Sequence, residues 1–388
     1  MYHLEKSYSV YLCRNRSISA FVIILYVSSM YLLARHFNLV TSRSAPDSST
    51  NDVHQRTRNI LLYASYRSGS SFLGELFRQN PRVHYLFEPL RFAVLNDDYD
   101  DSGWPHLEKH LSKYVSDAFN CSYHDLLSDS KRLFPNKKKR LLWMDRAFRQ
   151  PIQRHNLERP TVLILEQTCQ QYNVRVQKII RARRLHNILP VILNNDVDVI
   201  VLVRDPRALS QSALNIELKR KNISSDEQKT ILLERTRKIC EKYNDTISFL
   251  KTSVDTSFYE LFAEKVVLVR YEDVASSPQE KARRLYGRLR LAYPDTLDGW
   301  ITEATSGGES LGDTGKVLSE FSTSRQSRET AEKWRLKIDL AIVLQMQTVC
   351  GDIMQVLGYA PVTSEQQLHN MNTSLVIQPS DVIRQWII

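Results

Sequence analysis

From Ser17 to Ala34 the chain runs eighteen residues without a charge, most of them Ile, Leu, Val, Phe, Tyr or Met. An apolar run of that length just crosses a thin bilayer as a helix, which predicts a membrane span at 17–35 behind a short tail at 1–16. A signal peptide or a buried core helix is the alternative, but no small-x-small cleavage site follows and Arg35 opposes cleavage nearby. Polar, Ser-rich residues then predict a flexible stem at 36–58. Beyond it come short apolar runs of strand length, at 59–64, 83–87, 197–203 and 266–269, alternating with amphipathic stretches such as Leu73, Leu76 and Phe77. This alternation has no internal repeat and predicts an α/β domain with a parallel sheet over 59–361. The run at 197–203 is apolar almost throughout and reads as a central strand covered on both faces. Gly358 suits the end of a long helix, and 362–388 is expected to be a C-terminal tail.

Composition changes this picture in one respect. With 388 residues, 42% of them hydrophobic and 25% charged, the chain can bury a large core, which excludes wholesale disorder, a multi-span membrane protein and a small disulfide scaffold. Its formal charge of +10 is the informative excess. An anionic partner follows, and nucleic acid, acidic lipid, nucleotide phosphates and sulfated or carboxylated glycans satisfy it equally. Basic residues flank the span on both sides and only lean towards a cytoplasmic N-terminus. The sequons at Asn120, Asn222, Asn244 and Asn372 and the even set Cys121, Cys169, Cys240 and Cys350 all lie beyond the span. Together they favour a lumenal or extracellular domain, which disfavours nucleic acid. Cys13, beside the membrane, is read as an unmodified cytosolic thiol.

Three apolar runs end in residues that carry chemistry. The first feeds Ser65-Tyr-Arg-Ser-Gly-Ser-Ser-Phe and then a helix stopped by Pro81, so Gly69 lets the backbone approach a ligand and the helix N–H groups form an anion nest. The loop lacks the Gly-Lys-Ser/Thr of a nucleoside triphosphatase, and taken alone it fits an ordinary capped turn as well as a phosphate or sulfate site. The second run ends at Glu88-Pro89. In a parallel sheet the carboxyl ends of strands share one edge, so Glu88 is placed beside the loop, as a base, a helix cap or a partner for Arg91. The third runs into Arg204-Asp-Pro-Arg. Asp205 and Pro206 suit a helix start, while Arg204 with Ser212 two turns later could clamp a second phosphate. The later run at 266–269 repeats this pattern, with Tyr271, Glu272 and Asp273 read as structural.

Arg67-Ser-Gly-Ser-Ser-Phe, Tyr85-Leu-Phe-Glu-Pro, Val203-Arg-Asp-Pro-Arg, Val269-Arg-Tyr-Glu-Asp and Glu332-Lys-Trp-Arg, in this order, resemble the Golgi carbohydrate sulfotransferases over about 59–359. The chain is most similar to the branch that sulfates the 6-hydroxyl of galactose, N-acetylglucosamine or N-acetylgalactosamine in keratan and chondroitin chains. The resemblance implies a P-loop-like sulfotransferase domain with 3′-phosphoadenylyl sulfate as donor and a type II anchor in the Golgi membrane. Tyr66, Arg67, Ser68, Gly69, Ser70, Ser71 and Phe72 become the 5′-phosphosulfate loop. Arg204, Asp205, Pro206, Arg207 and Ser212 become the 3′-phosphate segment, with Ala213 standing where relatives often carry arginine. Thr323, Arg325 and Trp334-Arg335 match a C-terminal motif, Arg325 reaching the donor. Glu88 is the implied base and Arg67 its catalytic companion, with His84 second in line as base. Comparison with relatives also implies the pairs Cys240 with Cys350 and Cys121 with Cys169, although four cysteines allow three pairings.

Sulfuryl transfer, like phosphoryl transfer, passes through a loose in-line transition state with charge growing on the leaving oxygen. Preorganised donors such as Arg67 and the loop amides are each worth about 3 kcal/mol there. No metal is required, and no Mg²⁺ or Zn²⁺ ligand spacing is present. The basic runs Lys137-Lys-Lys-Arg and Arg181-Ala-Arg-Arg are candidates for an anionic glycan acceptor, and Trp104, Trp143 or Trp300 for a sugar face. A nucleotide-dependent kinase is opposed by the missing motif. A glycan-binding pseudoenzyme of the same fold stays open through Ala213 and the loop around Gly307-Gly308, as do a homodimer and the identity of the sugar.

Overall fold

A computed structural model of the chain describes residues 57–92, 104–133, 147–149, 161–219, 221–254, 264–306 and 327–388. The expected span and most of the stem, the Lys137 run, Trp143, the loop around Gly307, Thr323 and Arg325 lie outside the described residues. Among the described residues no helix is long and apolar enough to cross a membrane.

Five strands form one wholly parallel sheet: β1 Arg58–Tyr63, β2 Val83–Phe87, β3 Val174–Ile179, β4 Val197–Val203 and β5 Val266–Arg270, in the order β2-β3-β1-β4-β5. β1 is central because every residue after Arg58 is buried and all from Ile60 on are apolar, so both faces can be covered. The chain leaves β1 towards β2 on one side and later fills β4 and β5 on the other. That change of direction opens a crevice at the carboxyl ends of β1 and β4, where open α/β sheets bind ligands.

One face of the sheet packs Ile60, Leu62, Ile200 and Leu202 against Leu73, Leu76 and Phe77 of the helix Ser70–Arg78, and against Leu285, Tyr286, Leu297 and Ile301. A second cluster joins the helices Pro206–Leu218, Ser225–Val254 and Leu340–Cys350 through Leu214, Leu232, Val343 and Met346. Disulfides Cys121–Cys169 and Cys240–Cys350 are both present, the second tying two of those helices together.

The expected C-terminal tail is corrected by the structure: 362–388 belongs to the domain. The Leu268 N–H of β5 donates to the Trp386 carbonyl at 2.7 Å, and the Ile388 N–H donates to the Leu268 carbonyl at 3.3 Å. Trp386 is 1% exposed. The segment is also held from beneath by Arg335, which is wholly buried and donates to the carbonyls of Gln367, Leu368, Asn370 and Thr373 and to Glu332. Its apolar residues are too widely spaced to announce an element, yet Val362, Leu368, Leu375, Ile383 and Trp386 are buried against the rest of the domain.

Candidate active site

The loop after β1 enters its helix through a left-handed Gly69, φ 89°. A Cβ there would stand 2.2 Å from the Tyr271 ring. Gly69→Ala is therefore expected to lose about 2–4 kcal/mol from strain and displacement of Tyr271, read as a lower midpoint of urea unfolding. Arg67 is left-handed too, φ 68°, as is Glu88, φ 49°. Such conformations are uncommon for side-chain-bearing residues and cluster where a site over-determines the backbone.

The Arg67 Nε–H donates to Ser212 Oγ at 3.2 Å, and Arg204 donates to the Arg67 carbonyl at 2.9 Å. The two expected donor segments, more than 130 residues apart, thus meet at one crevice. Arg204 lies 4.5 Å over the Tyr271 ring and also reaches the Thr330 carbonyl at 3.2 Å, while its buried Nε–H has no partner. An orphaned guanidinium N–H at a strand end, beside a helix N-terminus, fits a phosphate. Behind it Glu272 accepts from the Asp205 N–H and the Tyr359 hydroxyl, both at 3.0 Å. Burial first, then Asp205, raises the Glu272 carboxyl to about 7, against the lowering charge of Arg204.

Glu88 follows β2 at the same edge. Phe87 is in register with Lys178 of β3, and the Glu88 N–H donates to the Lys178 carbonyl at 3.0 Å. Its carboxylate is gripped from two sides, by Lys178 Nζ at 2.9 Å and Arg181 at 2.6 Å. Burial works to raise this carboxyl, but the charges and hydrogen bonds of Lys178 and Arg181 prevail and hold it far below the usual carboxylate range. Lys178 is wholly buried, lies 3.8 Å over the Phe87 ring and reaches Ser71 Oγ of the donor loop at 3.3 Å. One ammonium therefore touches both the candidate base and the candidate donor loop.

Several expected site residues turn inward instead. Ser68 is fully buried and donates to the Ser65 carbonyl, and Phe72 packs at 5.7 Å against Trp300, which is half-buried on the edge of the core. Arg207 is corrected from donor contact to structural residue. It is wholly buried, ion-paired to Asp205 at 2.7 Å, bonded to Gln347 at 2.8 Å and 4.9 Å from the Trp334 ring. Asp205 caps the helix at the Arg207 N–H, so with Pro206 it sets the helix start. Arg335 holds the C-terminal segment, and Ala213 is buried. His84 lies on the opposite face of β2 from Phe87, 2.9 Å from the Tyr123 hydroxyl, where burial and then Arg175 lower it to about 4. Sequence reading missed Lys178 and gave Arg181 only to the acceptor. The available signal was a lysine inside a strand, Val-Gln-Lys-Ile-Ile, because a charge is rarely buried without a task.

A family model described as "Sulfotransferase domain" matches residues 57–359. The chain belongs to the sulfotransferase domain family. Human carbohydrate sulfotransferase 1 is 29% identical over 83% of this chain and 84% of its own length. Rat carbohydrate sulfotransferase 3 is 28% identical over 82% and 71%, and human carbohydrate sulfotransferase 5 is 26% identical over 86% and 84%. The sulfotransferase domain of the curacin biosynthetic pathway aligns with a TM-score of 0.41 at 14% identity, over 76% of this chain and 96% of its own. This sulfotransferase takes 3′-phosphoadenylyl sulfate as donor, and among its described residues no group of His, Cys, Asp and Glu could hold a metal ion.

Proposed function

We propose that the sulfotransferase transfers a sulfuryl group from 3′-phosphoadenylyl sulfate to the 6-hydroxyl of galactose or an N-acetylhexosamine in an anionic glycan. In this reading it is a type II protein of the Golgi membrane with its catalytic domain in the lumen. The observation that carries the reading is the convergence of Glu88, Lys178 and Ser71 at the crevice that Arg67 and Arg204 share. The Golgi part rests on the four sequon asparagines, all exposed, the two disulfides and the apolar run from Ser17 to Ala34. The acceptor class rests on Arg183 and Arg184, which stand exposed just past Arg181 at the sheet's carboxyl edge, and on the named relatives.

The acceptor hydroxyl oxygen forms the new bond to sulfur as the bridging bond to the donor phosphate breaks, and the electron pair leaves with the nucleotide. Arg67, the loop amides and Lys178 face the charge that grows there. Glu88 accepts the hydroxyl proton. A carboxylate held so acidic takes it late, once sulfur–oxygen bonding has made the hydroxyl acidic, which suits a loose transition state.

The test is transfer of labelled sulfate to a panel of desulfated keratan, chondroitin and heparan, with disaccharide analysis of the product. Arg67→Ala is expected to lower kcat about a hundredfold while the circular dichroism spectrum is unchanged. A product sulfated only on glucosamine nitrogen would overturn the 6-hydroxyl reading.

A further inference from the structure

One turn of the helix Ser225–Val254 touches both donor segments, and no motif pointed to it. Lys242 reaches across to the exit of β1, where its Nζ donates to the Ala64 carbonyl at 2.8 Å and lies 4.3 Å over the Tyr63 ring. Ala64 follows β1 directly and stands two residues before the phosphosulfate loop. Tyr243, 3% exposed, reaches the exit of β4. Its hydroxyl accepts from the Arg204 N–H at 3.0 Å and donates to the Arg204 carbonyl at 3.1 Å. Three residues before Tyr243, Cys240 is joined to Cys350 of the helix Leu340–Cys350, so the turn is anchored to a second helix. A step lower, Thr236 Oγ1 donates to Ser210 Oγ of the helix Pro206–Leu218 at 2.9 Å. Adjacent residues on one helix thus grip two strand ends, and a rigid helix transmits a fixed separation between them.

We propose that Lys242 and Tyr243 act as a positioning pair that sets the spacing between the 5′-phosphosulfate loop and the 3′-phosphate segment, and through that spacing the affinity for the donor nucleotide. The proposal rests on the donor reading of those two segments. Neither side chain belongs to the donor segments; both act through the backbone that leads into them. The choice of lysine supports it: burial pushes the Lys242 amine down to about 7, a cost that a packing residue would avoid. Arg67 bonded to Ser212, and Arg204 bonded to the Arg67 carbonyl, brace the same two segments at the crevice, so the helix supplies a second brace behind them. A ligand that bridges two loops is sensitive to their separation, since displacement of about 1 Å in a positioned group can cost a hundredfold.

The experiment uses the full chain and adenosine 3′,5′-bisphosphate as probe, with binding followed by calorimetry and donor and acceptor KM measured separately. Lys242→Met is expected to weaken nucleotide binding and raise donor KM about tenfold, and Tyr243→Phe about fivefold, with acceptor KM unchanged. Lys242→Arg is expected to recover binding to within about threefold of the parent. Should Lys242→Met fail to fold, Lys242→Gln, which keeps a donor for the Ala64 carbonyl, is expected to show the same split at smaller size. Folded variants whose nucleotide affinity matches the parent, even at a lowered melting temperature, would overturn the pair while leaving the donor reading intact. Failure of the parent chain to bind the nucleotide would overturn the donor reading and the proposal with it.

Discussion

Glu88→Ala is expected to reduce sulfuryl transfer about a thousandfold and to destabilise the protein by about 3–5 kcal/mol. The two losses have different causes. Turnover falls because the carboxylate that meets Lys178 at the end of β2, beside the proposed donor loop, is gone. Stability falls because Lys178, with no exposed surface, loses its carboxylate partner and keeps its charge. The causes separate in the double variant Glu88→Gln with Lys178→Met, which removes both buried charges. Most of the stability should return, since replacing a buried pair by neutral groups is often close to neutral, whereas activity should stay lost. A double variant that is both stable and active would remove Glu88 from the chemistry.

The same ion pairs fix a pH dependence. Because Lys178 and Arg181 outweigh burial and depress the Glu88 carboxyl, the stability it contributes is fully present above the ordinary carboxylate range and is lost as pH falls through that range towards the folded value. Urea midpoints should therefore decline on acidification in the parent and decline less in the double variant. Between pH 5 and 8 Glu88 remains ionised, so any titration of kcat in that window must come from another group.

Arg335→Ala is expected to be the most destabilising single change in the C-terminal motif, by about 4 kcal/mol or more. Its guanidinium satisfies four backbone carbonyls between Gln367 and Thr373 and is paired with Glu332 at 2.9 Å. Removal leaves those carbonyls, one buried and three part-buried, without their donor and frees the segment that ends in the Trp386 contact with β5. Thermal unfolding should move down by roughly 5–10 °C, with new proteolytic cleavage after 361. Lysine in its place should rescue little, because a single ammonium cannot reproduce five bonds in a planar fork. A melting temperature within about 1 °C of the parent would show that the C-terminal segment is held by its apolar contacts alone.

How far the site was legible depended on sequence distance. The loop after β1 is local: a strand, Gly69 and a helix start within a dozen residues fix its shape, so Arg67 and Ser71 were legible as a candidate anion site, and the family resemblance made it the proposed donor loop. Glu88 was legible as the end of a strand. Its chemistry was not, because Lys178 of β3 and Arg181 just past it come about ninety residues later, and only the order β2-β3-β1 places them beside it. β3 itself was hard to see, since Arg175, Gln177 and Lys178 interrupt the apolar pattern that marks the other strands. Arg207 erred in the other direction. Lying inside a motif made it look like a ligand contact, whereas it points into the fold.

By itself the sequence determined the α/β class, the strand-end positions of Arg67, Glu88 and Arg204, and a basic excess suited to an anionic partner, because periodicity and short motifs depend on residues close in the chain; the donor came from the family resemblance of those motifs. The tertiary structure alone decided which charges meet. It clamped the Glu88 carboxylate between Lys178 and Arg181, turned Arg207 from an expected donor contact into scaffold, and set Lys242 and Tyr243 behind the two proposed donor segments. Those outcomes depend on strand order and helix placement, and pairing across a hundred residues leaves no periodic trace in the chain.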